Sequence, residues 1–105
     1  MSLLENDSQY IYVVEAELVA GADAEGWNRW YDEKHVPELL SVPGFMTANR
    51  FRDRDDPNRY LAAYGLDRPD PFSEQRYSEV TGWQEWGDSV KVWNRAVFER
   101  RPAEF

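Results

Sequence analysis

The sequence predicts an α+β domain, a four-stranded antiparallel sheet with two helices on one face, in the chain order β-α-β-β-α-β. Three observations point there. The hydrophobic period switches between 2 and 3.6 along the chain in that order. Gly, Pro or acidic turn signals stand at the changes of period. The 105 residues fit one domain with a thin core.

The first strand is Tyr10 to Val19, YIYVVEAELV, rich in aromatic and β-branched residues. Alternation places Tyr10, Tyr12, Val14, Ala16 and Leu18 on a core face. Ile11, Val13, Glu15, Glu17 and Val19 fall on the other, which two carboxylates keep partly wet. Gly21 breaks the strand. Asp23 is a fitting helix N-cap, with Glu25 in the first turn, where the helix dipole favours negative charge. The helix runs on through WNRWYDEKHVPELL, with Trp27, Trp30, Tyr31 and Leu39 as its apolar stripe. Pro37 removes a ladder hydrogen bond and crowds the carbonyl of Glu33, which predicts a kink or a tightened final turn. Pro43 and Gly44 are the stop signals.

Phe45 to Arg52 form the second strand, with Phe45, Thr47, Asn49 and Phe51 alternating against Met46, Ala48, Arg50 and Arg52. DRDDPN, from Asp53 to Asn58, is a polar turn, and Arg59 to Leu66 return as the third strand. Asp70-Pro71 starts a second helix over Phe72 to about Val80, which Gly82 ends. Trp83 to Asp88 read as a short turn or loop, and Lys91 to Arg100 as the fourth strand. Right-handed crossovers and short connections turn this order into a ferredoxin-like arrangement. The domain is expected over residues 9–101, with a flexible N-terminus at 1–8 and a C-terminal tail at 102–105. One sheet face is left bare, and a second copy of the chain is the expected cover.

Composition narrows the function. Five Trp, six Tyr and five Phe are more rings than so small a domain easily hides, so some are expected in a ligand cleft or subunit contact. A net charge of −8 argues against nucleic acid and against anionic membrane surfaces. The absence of Cys excludes disulfides, zinc thiolates and Cys nucleophiles. The first eight residues lack the features of a signal peptide, and no apolar run reaches the ~20 residues of a membrane span, so a cytoplasmic protein is expected.

His35 is the only histidine and the only side chain whose ordinary pKa lies near neutrality. Trp27, Tyr31 and His35, spaced by four, lie along one flank of the helix. A histidine there could move a proton on a bound phenol or enol. It could equally cap the Pro37 kink by bonding a backbone group. Tyr12, Tyr31, Tyr60 and Tyr64 offer hydroxyls to a ligand, or are core rings with a wet tip. Arg50 and Arg95 with Glu15 could hold a carboxylate-bearing or phenolic ligand, or form a salt bridge inside the chain or at an interface. The five Trp could wall a cleft or simply pack. His35, Asp32 and Glu38 lack the second histidine and the spacing of a metal site.

The stretch WNRWYDEKHVPELLSVPGF, with a strand before it and RF after it, resembles the dimeric α/β-barrel superfamily, and within it EthD-like proteins. Trp30-Tyr31-Asp32, His35, Pro37 and Val42-Pro43-Gly44-Phe45 carry the resemblance, which extends from Tyr10 to about Arg100. It implies a homodimer whose two sheets close a barrel, with a ligand cleft between sheet and helices in each subunit. It includes cofactor-free monooxygenases, polyketide cyclases and lactone isomerases. Haem-degrading members take an axial histidine from the second helix, where this chain has none, so no cofactor is expected.

Three functions stay open. The first is a cofactor-independent cyclase, isomerase or monooxygenase for a small aromatic or polyketide-like substrate. There His35 and Tyr31 would be catalytic, and Tyr12, Glu15, Trp27, Arg50, Tyr64 and Arg95 would bind substrate. The second is a non-catalytic dimer that binds a hydrophobic metabolite. The third is a structural dimer without ligand.

Overall fold

The computed structural model describes residues 8–101. The expected flexible residues 1–7 and the tail at 102–105 lie outside them. Ser8, which the sequence assigns to the loose end, is buried, and its carbonyl accepts a hydrogen bond from Arg100 Nε at 2.9 Å.

The order is β1 (Tyr10–Leu18), α1 (Ala24–Trp30), a π turn (Tyr31–His35), α2 (Val36–Leu40), β2 (Phe45–Arg52) and β3 (Arg59–Leu66). A 3-10 turn (Pro71–Ser73), α3 (Gln75–Val80), a second 3-10 turn (Gln84–Ser89) and β4 (Val90–Glu99) complete it. The strands form one antiparallel sheet in the order β2-β3-β1-β4, and the helices pack on one face. This is the α+β, ferredoxin-like architecture the periodicity predicts. In β1 the alternation holds: Tyr12, Val14, Ala16 and Leu18 are buried, whereas Ile11, Val13, Glu15 and Glu17 are half-buried on the face that no described element covers.

Two bulges decide which side chains join the helix layer. In β2, Phe45 pairs with Leu66 and Thr47 with Gly65, so Met46 is an extra residue. A two-for-one step shifts the alternation by one. Phe45 therefore shares the helix face with Ala48 and Arg50, and not, as simple alternation predicts, with Thr47 and Asn49. In β4, Glu15 pairs with Asn94 and Ala16 with Val92, so Trp93 is the extra residue. That step places Arg95, opposite Val14, on the same face as Val92.

The first helix is continuous through Pro37, but its turn is widened, not tightened. Pro37 offers no N–H, and the ladder re-forms upstream, where the Val36 N–H reaches back five residues to the Tyr31 carbonyl. Asp23 caps the start by accepting from the Gly26 N–H at 3.0 Å. The core lies between this helix and the sheet, with Trp27, Val42, Tyr64, Leu66 and Val80 almost wholly buried. The uncovered face carries Phe51, Trp93 and Phe98, each more than half exposed.

Candidate functional site

The π turn sets the site. It carries Tyr31 and His35, four apart and both buried, on the sheet side of the helix. Beyond them, β1 contributes Tyr12, β3 contributes Tyr64, α3 contributes Tyr77, and the segment after α3 contributes Thr81, Gly82 and Trp83. Arg95 of β4 stands at the rim. Together these groups line a cleft between the sheet and the helices, with a free volume of about 30 Å³.

His35 is only 5% exposed, and its Nδ1 is buried with no hydrogen-bond partner. It does not cap the Pro37 turn through that atom. Its ring stacks on Trp30 at 4.7 Å and 15°, and meets Tyr31 edge-on at 4.9 Å. Burial, and then the nearby Arg50 charge, lower its pKa from 6.5 to about 4, so the imidazole is neutral at physiological pH. A neutral, unpartnered imidazole in a cleft is a proton acceptor in waiting.

Four phenols surround it. The Tyr31 and Tyr64 hydroxyls are 2.5 Å apart. Burial holds the pKa of both well above the usual tyrosine range. Tyr12 is raised as well, first by burial and then by Tyr77, with which it shares a hydrogen bond. These hydroxyls stay protonated. In the Tyr31–Tyr64 pair one hydroxyl hydrogen is spent between the two oxygens, which leaves the other to donate elsewhere.

The remaining sequence-predicted residues separate. Arg95 lines the cleft and makes no ion pair among the described residues, and its charge offsets a small part of the burial that raises the pKa of Tyr12 and Tyr31. Arg50 sits behind the site. Its guanidinium donates to Asp32 Oδ1 at 2.6 Å and Asn28 Oδ1 at 2.7 Å, and lies 4.0 Å over the Tyr31 ring. Two of its N–H donors are spent there, and it acts on the cleft through charge and through the placement of Tyr31. Trp27 packs beneath, edge-on to Tyr31 and Tyr60. Glu15 is on the opposite face of the sheet, where its carboxylate accepts from Asn94 at 3.3 Å. It does not meet Arg50 or Arg95. Tyr60 bonds Asn28 and stays outside the cleft.

Tyr77 and Thr81 are site residues that the sequence reading passed over. The available signal was Tyr77 and Val80, three apart on one side of a short helix. Among the described residues no group of three or more His, Cys, Asp or Glu could hold a metal ion, and no helix is long and apolar enough to cross a membrane.

No protein-family model and no curated protein sequence matches this chain. Solved structures do resemble it. HapK from Hahella chejuensis has 11% identity over 91% of this chain and 96% of its own, with a TM-score of 0.69. SnoaB from Streptomyces nogalater, described as a cofactor-independent oxygenase, has 18% identity over 91% and 97%, with a TM-score of 0.66. An ethyl tert-butyl ether D (EthD) family protein from Bacillus halodurans has 10% identity over 88% and 99%, with a TM-score of 0.60. At such identities the shared property is the backbone arrangement, and this chain has the ferredoxin-like fold of EthD-type and cofactor-independent oxygenase structures.

Proposed function

We propose that this chain is a cofactor-independent enzyme of cyclase, isomerase or monooxygenase type, acting on a small aromatic or polyketide-like substrate in the cleft beside His35. The observation that carries the reading is the unpartnered Nδ1 of a neutral, buried histidine among paired tyrosine hydroxyls. The likeness to a structure described as a cofactor-independent oxygenase supports it at the level of fold.

The chemistry that suits these groups is removal of a proton from a phenol, enol or activated C–H. His35 takes the proton. A base whose conjugate acid has a pKa of about 4 is weak alone. The anion formed beside it raises its hold on the proton, because opposite charges at close range favour the charged form. The free hydroxyl hydrogen of the Tyr31–Tyr64 pair donates to the substrate oxygen, and Arg95 at the rim offsets the new negative charge. Tyr31 and Tyr12 orient the ring. The working unit in this reading is a homodimer, joined through the uncovered sheet face.

The test is turnover and binding of a panel of phenols and enolisable lactones by wild type and His35→Ala. Loss of turnover by roughly 10²–10⁴-fold, with affinity kept, is the expected outcome for an acid–base residue. Turnover that survives the substitution removes His35 from the chemistry. Binding without turnover by the wild type favours a metabolite-binding protein instead.

A further inference from the structure

The cleft is too small, as it stands, for the guest it is proposed to take. Its free volume of about 30 Å³ holds a water or two, whereas a benzene-sized guest needs on the order of 150 Å³. Part of the wall has to move. Tyr12 and Tyr64 belong to the two central strands. The helix that bears His35 is pinned by Trp27, 1% exposed, and by the fork from Arg50 to Asp32 and Asn28. These walls are fixed.

Tyr77 of α3 is packed against Phe45 and Phe72, whereas residues 81–84, next along the chain, are built differently. Gly82 has a φ of 98°, and Gln84, with a φ of 53°, is the one non-glycine at positive φ among the described residues. They flank Trp83. Its ring centroid lies 5.8 Å from that of His35 and 5.8 Å from that of Tyr31. Besides the contacts of the Trp83 ring with Trp27, Trp30, Tyr31 and His35, the segment meets the helix across the cleft through one exposed hydrogen bond, from Lys34 Nζ to Gln84 Oε1 at 3.1 Å. A left-handed residue on each side of a bulky ring, which meets the facing helix through ring contacts and one surface hydrogen bond, has the makings of a hinge.

We propose that residues 81–84 form a lid, with Trp83 as the gate over His35, the Lys34–Gln84 hydrogen bond as its latch and Gly82 as its pivot. The guest that enters takes the place of an indole against Tyr31 and His35. It is therefore flat and aromatic, of one or two fused rings. This rests on the reading of the cleft as a substrate site, but its test uses no substrate.

His35 is the sole histidine, so its modification by diethyl pyrocarbonate, followed by ultraviolet absorbance and reversed by hydroxylamine, reports opening of the lid. The wild-type rate is expected to be insensitive to low urea, as for a local opening that exposes little surface. A side chain at Gly82 would meet nothing within 4 Å, so Gly82→Ala disfavours only the closed backbone. It should raise the rate about tenfold. Lys34→Ala should raise it roughly two- to threefold, since an exposed contact is weak. The chain has no Cys, so the pair Lys34→Cys and Gln84→Cys can be joined by a short bis-maleimide, which adds each thiol across one of its double bonds. Joining should suppress modification by at least about tenfold relative to the same protein unjoined, the mark of a blocked local opening. Equal rates before and after joining would overturn the lid. So would a rate that climbs with urea in step with global unfolding. The joined comparison holds even if Gly82→Ala fails to fold.

Discussion

At the scale of single residues, His35 ties the acid stability of the protein to its cleft. The folded protein keeps the imidazole neutral until the pH nears about 4, whereas the unfolded chain takes up its proton near 6.5. Between those values the unfolded state holds more protons, so acid favours unfolding. The contribution is complete above about 6.5 and is lost as the pH falls toward about 4. By pH 4.5 the expected loss is about 2–3 kcal/mol. Urea unfolding of wild type and His35→Gln at neutral pH and in acid measures it. The variant should lack that share of the acid slope, while the contributions of Asp53 and Asp67, whose pKa values lie below the usual carboxylate range, cancel between the two proteins. Equal slopes would mean that His35 takes up its proton at the same pH in the folded and unfolded states. Residue type was enough to single out His35, Tyr12, Tyr31, Tyr64 and Arg95 from the sequence, because a lone histidine and phenols on a core face are chemically conspicuous. Tyr77 was not visible in that way. Its place depends on how the short α3 lies against β1, and spacing says nothing of that.

At the scale of elements, irregularities place the arginines. The Met46 bulge brings Phe45 and Arg50 to one face, and the Trp93 bulge does the same for Val92 and Arg95. Deleting Met46 restores an even ladder without changing what any later residue of β2 faces. The stability of that deletion variant should stay within about 1 kcal/mol of wild type, because the lost side chain is 57% exposed. Its Arg50–Asp32 contact should persist, as a double-mutant cycle on the pair would show. A deletion that unfolds the protein would mean that Met46 is structural in its own right. These steps explain what the sequence could and could not reveal. Period and punctuation gave all four strands, since alternation survives a bulge on either side of it. They missed the phase shift across each bulge, and so put Arg50 and Glu15 within reach of one another. Pro37 likewise marked the disturbed turn, but not whether the ladder would tighten or widen. That choice is made by Trp27 and Trp30 on one side of the turn and Leu39 on the other, which must all reach the same core.

At the scale of the whole molecule, the sheet has one face packed and one bare. Phe51, Trp93 and Phe98 each expose more than half of their surface on that bare side. Arg59 lies 4.3 Å over the Trp93 ring, so the patch mixes aromatic area with charge, as subunit contacts do. Sedimentation of the wild type at micromolar concentration should show two chains per particle. Trp93→Glu should raise the dissociation constant by at least about tenfold, because a carboxylate buried in the contact without a partner is costly. A one-chain wild-type particle under the same conditions would refute the face-to-face dimer.

The positions of the two extra residues carry a further consequence. β2 and β4 are the outermost strands, and each of them holds one bulge. An outer strand with an interrupted run of amide and carbonyl groups is a poor template for another chain's backbone. Sideways growth into continuous ribbons is thereby discouraged at both edges of the sheet.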